Sequence, residues 1–183
     1  MVRRFYASED ELQSILAGLK QQPCPQCKVV GALIRYGYLR GYDEDDERQR
    51  STRARRVFCN NRKANKNGCG RTFSIWAVDK IRRLSLGTQN LWKFLKGVSD
   101  DGNKLQALRQ LKCSISDSAP YRIWKRFERA QSSLRTALGA LCQAPVIKSD
   151  RPEDQMVAHL EAAFPDHACP ISAFQHTLQV FFL

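Results

Sequence analysis

Four cysteines in the amino-terminal part of the chain constrain its fold more than any other feature. Cys24 and Cys27 are separated by two residues, and Cys59 and Cys69 follow after a long intervening segment. Thiolates bind Zn²⁺ strongly, and four of them close a tetrahedral site that leaves no position for a substrate. The spacing therefore predicts one structural Zn²⁺ ion, bound by these four side chains.

The segment between the two cysteine pairs is long enough for two β-strands. Residues 29–39 and 55–58 alternate and are rich in β-branched or aromatic side chains, which predicts a two-stranded ribbon. Nine residues, 60–68, lie between Cys59 and Cys69, where a compact zinc knuckle has about two. We interpret these nine residues as an enlarged polar loop whose flanking ligands still converge.

Other interpretations of the four thiols are incidental cysteines in a reduced protein and a redox centre that binds iron. A secreted protein with a disulfide framework fits less well. The chain has seven cysteines, an odd number, and no apolar signal segment precedes them.

The positive charge of the chain is concentrated in and behind the predicted ribbon. The net charge of the 183 residues is +12, and residues 28–96 hold seventeen basic and six acidic side chains. Residues 97–148 hold nine and four, whereas residues 149–183 hold one and five. A basic field of this kind attracts a polyanion, and each phosphate that is neutralised releases condensed counterions. The distribution predicts a nucleic acid as the partner.

Arginines dominate the basic cluster of the ribbon, and their planar guanidinium groups can pair phosphate oxygens and reach guanine edges. The residues predicted to contact DNA in this region are Arg48, Arg50, Arg53, Arg55, Arg56, Arg62, Lys63, Lys66 and Arg71. The alternative is a solvated basic hairpin that improves solubility. An acidic run, residues 43–47, directly precedes the arginines, and we interpret it as a flexible loop that neutralises itself against them.

Apolar side chains at helical spacing predict helices on both sides of the ribbon. Ser8 and Glu11 form a capping-box pattern ahead of the first cysteine pair. Behind the ribbon, one helix ends near Gly102, a short helix follows, and a third begins after a cap between Ser116 and Ser118. This order predicts a helix-turn-helix.

The predicted third helix has an apolar face and a cationic face. Its inward seam consists of Ile123, Phe127, Ala130, Leu134, Ala137 and Leu141. The residues predicted to contact DNA from its amino-terminal half are Tyr121, Arg122, Lys125, Arg126 and Arg129. A solvated helix face is the alternative for these residues, and the long seam could also pair two chains as a homodimer.

Together these patterns predict an α+β protein that is mostly α. We expect a small two-stranded β zinc ribbon, followed by a helical helix-turn-helix domain and a helical tail. The predicted parts are an amino-terminal helix (1–22), the zinc ribbon with its basic hairpin (23–78), the helix-turn-helix with a long third helix (79–142) and the carboxy-terminal tail (143–183). No stretch approaches the apolar length needed to cross a bilayer, so we expect no membrane partner.

The segment from the first cysteine pair to the third helix resembles a known family. Cys69 is followed by Gly-Arg-Thr-Phe-Ser at 70–74, and the third helix contains Trp-Lys-Arg-Phe at 124–127. Residues 23–142 resemble the amino-terminal DNA-binding region of bacterial insertion-sequence transposases. The resemblance implies that the four cysteines bind the metal and that the helix beginning near Ser116 reads the terminal inverted repeats of the element. It also implies a bacterial cytoplasmic, nucleoid-associated protein that binds double-stranded DNA and could work with a separately encoded transposase catalytic subunit.

The carboxy-terminal part offers no predicted catalytic site. Only 41 residues follow Cys142, too few for the RNase H-like domain of such transposases, and the acidic residues there follow a helical pattern. We therefore expect no enzymatic activity from this chain. Four possible ligands in the tail match no metal-binding spacing, and these are His159, His167, Cys169 and His176. Two further functions use the same parts, a stand-alone transcriptional regulator and an RNA-binding zinc ribbon.

Overall fold

A computed structural model describes residues 2–46, 48–61, 67–111 and 113–183. The chain divides into two compact units. The first contains residues 1–41 and 50–78, and the second contains residues 42–49 and 79–183.

A four-stranded mixed sheet is the framework of the first unit. Its strands are β1 (Phe5–Tyr6), β2 (Leu33–Tyr42), β3 (Arg50–Cys59) and β4 (Thr72–Ala77), in the order β1-β4-β3-β2. β1 runs parallel to β4, whereas β3 and β4 are antiparallel.

The predicted fold class, a two-stranded ribbon followed by helical domains, is wrong, because the sheet has four strands. β1 is only two residues long, so it carries no periodicity that a sequence pattern could reveal. β4 begins three residues after Cys69. Its six residues are too short to indicate a strand by pattern alone, and they form one by pairing with β3. The two strands that were predicted are present with other bounds: β2 begins four residues later and ends three residues later than predicted, and β3 is longer than the predicted 55–58.

One helix covers the core of the first unit. Helix α1 (Glu9–Ala17) begins at Ser8, whose side chain accepts a hydrogen bond from the Glu11 backbone N–H at 3.2 Å. The Glu11 carboxylate reaches back to the Ala7 backbone N–H at 2.7 Å, so the predicted cap is confirmed with its return bond shifted by one residue. The apolar residues buried together here include Leu12, Leu16, Leu19, Leu33, Val57 and Ile75. A 3₁₀ turn, Gly18–Gln21, then leads to the first cysteine pair.

The second unit is helical. Its helices are α2 (Thr88–Asp101), α3 (Lys104–Arg109), α4 (Ala119–Gly139), α5 (Pro152–Ala163) and α6 (Pro170–Leu178). α2 ends at Gly102, which adopts a left-handed backbone with φ 71°, as the glycine in the sequence predicts. Residues 110–118 join α3 to α4, and this connection is longer than the turn of about three to four residues in a helix-turn-helix.

The predicted seam of α4 is largely correct. Ile123, Phe127 and Leu134 are buried in the core of this unit. Leu141 is 41% exposed because α4 ends at Gly139, and Leu138 is the last buried residue of the helix. The mistake arises because a residue beyond the helix end no longer follows the helical period.

The carboxy-terminal segment forms part of the same core as α2 and α4. Phe127 stacks on Phe182 with ring centroids 6.2 Å apart, and Phe174 meets Phe182 edge-on at 5.6 Å. Both contacts are of the kind that aromatic rings favour in a core. Across the described ranges, no helix has the length and apolar content needed to span a bilayer.

Candidate metal centre and cationic surfaces

The four amino-terminal cysteines converge on one point. Their sulfur atoms all lie within 4.8 Å of one another, with 3.9 Å between the Sγ atoms of Cys24 and Cys69 and 3.6 Å between those of Cys27 and Cys59. A tetrahedral ion with Zn–S bonds of about 2.3 Å places its sulfurs about 3.8 Å apart. The cluster therefore has the dimensions of a four-thiolate metal site and can hold a metal ion. All four thiols are free in this structure.

A tight turn presents the first two sulfurs. The Cys24 backbone N–H donates to the Val29 carbonyl, and the Lys28 N–H donates to the Cys24 carbonyl, both at 2.9 Å. Lys28 has a φ of 64°, the left-handed conformation that closes such a turn. The Gln26 N–H points at the Cys24 sulfur at 3.4 Å. The two-residue spacing thus produces the expected local geometry.

The end of β3 presents the third sulfur, and a return of the chain presents the fourth. The Cys59 N–H donates to the Arg71 carbonyl at 2.9 Å, and the Cys69 N–H donates to the Cys59 sulfur at 3.3 Å. A Cβ atom at Gly68 would lie 2.3 Å from the Asn60 carbonyl oxygen, so only glycine fits there. The convergence predicted for Cys59 and Cys69 is confirmed, although residues 62–66 lie outside the described ranges.

The thiols of the cluster differ in acidity. The Val29 backbone N–H, with help from the neighbouring thiols and against burial, lowers the pKa of Cys27 to about 7. Burial, together with the neighbouring thiols and against the Cys69 N–H, raises the pKa of Cys59 to about 12. Like charges this close oppose one another, so a full set of four thiolates requires a cation among them.

The predicted cationic contacts of the sheet unit fall into three groups. Arg50 and Arg71 are exposed, and Arg55 and Arg56 are half-buried. Arg53 differs from the others because it is only 5% exposed, and its side chain occupies the space beside Gly41. Three predicted contacts lie outside the described residues, and these are Arg62, Lys63 and Lys66.

The predicted contacts in the second unit are mostly at the surface. Arg48 is exposed, and α4 exposes Tyr121, Arg122, Lys125 and Arg129. Arg126 is the exception, because its guanidinium group donates to the backbone carbonyls of Arg82 at 3.1 Å and Arg83 at 3.5 Å. Burial, reinforced by Arg83 and Arg82, lowers the pKa of Arg126. Arg126 therefore holds the loop before α2, a role that helical periodicity does not reveal.

The acidic run has a structural role that the sequence analysis missed. The Glu44 carboxylate accepts a hydrogen bond of 2.5 Å from the backbone N–H of Gly87, which is the N-cap residue of α2. The Glu44 and Asp45 carbonyls also accept bonds from Ser114 at 3.2 and 3.3 Å. The interpretation of a loop neutralised by the adjacent arginines is therefore wrong for Glu44. Glu47 lies outside the described residues.

The histidines of the tail do not form a second metal site. His159 is buried, with its Nε2 atom 3.0 Å from the Cys142 carbonyl oxygen, and His167 packs edge-on against Phe164. Within the part of the chain that the structure describes, the amino-terminal cysteines are the one group of ligands close enough to share an ion, so His176 and Cys169 join no such group.

Comparison with known proteins adds no relative from which a role could be transferred. No protein-family model, curated protein or solved structure matches this chain. The resemblance to transposase DNA-binding regions therefore stays a prediction from the motifs alone. What this site can do follows from its own geometry, a group of four sulfurs that could hold a metal ion at the end of the arginine-rich strand β3.

Proposed function

We propose that the protein binds double-stranded DNA, with a structural Zn²⁺ ion stabilising the unit that carries much of its cationic surface. The observation that carries this proposal is the convergence of four sulfurs at the end of β3, a strand that also holds Arg50, Arg55 and Arg56. Four thiolates leave no open coordination position, so the ion acts as a structural cross-link and not as a catalyst.

Cation density favours a nucleic acid as the partner. In the first unit, exposed Arg35, Arg40 and Arg71 form no ion pair with a described acidic residue. Arg71 donates instead to the Gln26 side chain at 3.1 Å, within the turn that holds the first two sulfurs. Uncompensated guanidinium groups fixed on a sheet are suited to the closely spaced phosphates of DNA.

Zn²⁺ fits the ligands, as iron also does, whereas hard cations do not. A set of four thiolates in a tetrahedron suits Zn²⁺ or iron, whereas Mg²⁺ and Ca²⁺ require oxygen ligands. When bound, the ion supplies a closed cross-link between the turn at Cys24 and the end of β3. The cysteines themselves position the neighbouring basic residues, because Cys59 and Arg71 are joined through their backbones.

The identity of the DNA follows from the motif resemblance. We infer that the protein recognises the terminal inverted repeats of a transposable element and acts by binding, without catalysis of its own. A separately encoded transposase subunit would then perform strand transfer. Tight binding to random duplex with no preference for such repeats would contradict this part of the proposal.

Metal removal is the direct test of the ion's role. We expect the purified protein to contain one zinc ion per chain. A chelator should abolish binding to DNA taken from the region that flanks the gene of this protein. The helical circular dichroism signal of the second unit should be retained. Cys27→Ser should lower the zinc content to well below one per chain and lower the stability, on the order of 4 kcal/mol for a ligand present at 1,000 times its Kd.

Cys113→Ser is the matched control for Cys27→Ser, since Cys113 is half-buried and stands outside the sulfur cluster. The control should keep both zinc and DNA affinity. A zinc-free preparation that still binds DNA would refute the structural role of the ion.

A further inference from the structure

Two exposed tyrosines on β2 form the feature that the proposed function leaves unused. Tyr36 is 44% exposed and Tyr38 is 53% exposed. β2 is an edge strand of the sheet, because among the described strands it pairs with β3 alone. Aromatic rings on an exposed sheet edge are accessible to flat ligands.

Each ring is held by an arginine from the neighbouring strand. The Arg55 guanidinium carbon lies 3.8 Å from the centre of the Tyr38 ring, and that of Arg56 lies 5.3 Å from the centre of the Tyr36 ring. Phe58 also packs on Tyr36, with centroids 5.3 Å apart. These contacts orient the rings and place a cation beside each of them.

The two tyrosine–arginine pairs both join the edge strand β2 to its neighbour β3. Gly37, between the two tyrosines, has a φ of 125°, a backbone conformation that favours glycine. Because both rings lie within three residues of one edge strand, one extended strand of nucleic acid following this edge could reach both.

We propose that the edge of β2 binds unpaired bases of single-stranded DNA by stacking them on Tyr36 and Tyr38. Arg55 and Arg56 form no ion pair with a described acidic residue, which leaves their charge for the phosphates beside a stacked base. Bases in a duplex are already stacked on both sides, whereas unpaired bases offer a free face to an aromatic ring.

This inference rests on the proposed function and refines it, since it names DNA with unpaired bases as the ligand of the sheet edge. Oligothymidine is the suitable probe because it has no internal pairing. Fluorescence anisotropy would compare the full-length zinc-bound protein on oligothymidine, on a blunt duplex of equal length and on oligouridine, at one fixed salt concentration.

The test variants are Tyr36→Leu and Tyr38→Leu. Each is expected to weaken oligothymidine binding by about tenfold and to change duplex binding by less than about twofold. Tyr36→Phe and Tyr38→Phe keep the ring and should restore binding, which distinguishes stacking from a folding defect. Leu39→Ala is the control, because this side chain lies on the same strand and is 36% exposed but carries no ring.

Unchanged oligothymidine affinity in both leucine variants would overturn the stacking site and leave duplex binding intact. Equal losses in the leucine and phenylalanine variants would also overturn it. Tighter binding of wild type to oligouridine than to oligothymidine would overturn the choice of DNA. Failure of wild type to bind any of the three probes would refute the proposed function together with the inference.

Discussion

At the scale of single residues, Asp154 shows how a buried charge joins two helices. Its carboxylate accepts hydrogen bonds from the Ser99 hydroxyl of α2 at 2.7 Å, from Arg151 Nε at 2.7 Å and from the Ser149 hydroxyl. Burial opposes the charged form, but the bonds from Ser149, Ser99 and Arg151 outweigh it and lower the pKa of Asp154. Arg151 also donates to the Ser99 carbonyl at 2.6 Å, so α2 and the start of α5 are joined twice.

Asp154→Asn should destabilise the protein by about 2 kcal/mol at neutral pH, since bonds to a charged acceptor are lost. Because the folded-state pKa lies below the unfolded value of about 3.9, the contribution is complete above that pH and is lost as the pH falls through the folded pKa. Urea unfolding from pH 7 to pH 3 measures both effects.

Asp150→Asn is the matched control for Asp154→Asn, because Asp150 is exposed. It should change the stability little at any pH. If Asp154→Asn unfolds at the wild-type urea concentration at pH 7, the hydrogen bonds to this carboxylate do not stabilise the protein.

At the scale of elements, α2 depends on a cap that comes from outside its own sequence neighbourhood. Gly87 has no side chain to accept a bond from the first turn, and the Glu44 carboxylate instead accepts the Gly87 N–H. A carboxylate at a helix amino terminus both satisfies a free donor and interacts favourably with the helix dipole. A Cβ atom at Gly87 would lie 2.9 Å from Glu44 Oε1, so glycine admits the carboxylate.

Glu44→Ala should therefore lower the stability of the helical unit by about 1 kcal/mol. Asp45→Ala removes the same charge from the same loop but leaves the helix cap in place, and it should cost less. Thermal unfolding followed by circular dichroism compares the two, and an equal decrease in Tm would show that loop charge, and not the cap, is responsible.

At the scale of the whole molecule, the charge distribution predicts a strongly salt-dependent affinity. The chain carries a net charge of +12, and exposed cations lie on the sheet unit and on α4. The logarithm of the DNA binding constant should fall linearly with the logarithm of salt concentration, because each phosphate contact releases counterions.

Arg122→Gln and Lys125→Gln should each weaken duplex binding and reduce the salt slope by about one if α4 contacts phosphates. Lys93→Gln on α2 removes a charge from another exposed helical position and serves as the control. Anisotropy titrations at several salt concentrations provide the slopes. Wild-type slopes in both α4 variants would remove this helix from the interface.

Local patterns in the sequence determined the features that depend on neighbouring residues. The convergence of Cys24, Cys27, Cys59 and Cys69 into a group that could hold a metal ion follows from their chemistry and spacing, and the helix ends at Ser8 and Gly102 follow from caps. The inward faces of the long helices follow from apolar spacing. These features are encoded within a few residues, so no knowledge of the chain path is needed.

Tertiary structure alone decided which distant groups meet. β1 exists because it pairs with β4, Arg53 is buried beside Gly41, and Arg126 binds the carbonyls of Arg82 and Arg83. Glu44 meets a helix that begins more than forty residues later. A sequence pattern indicates which residues face the core. It does not indicate which distant residues they contact, because those contacts depend on the path of the folded chain.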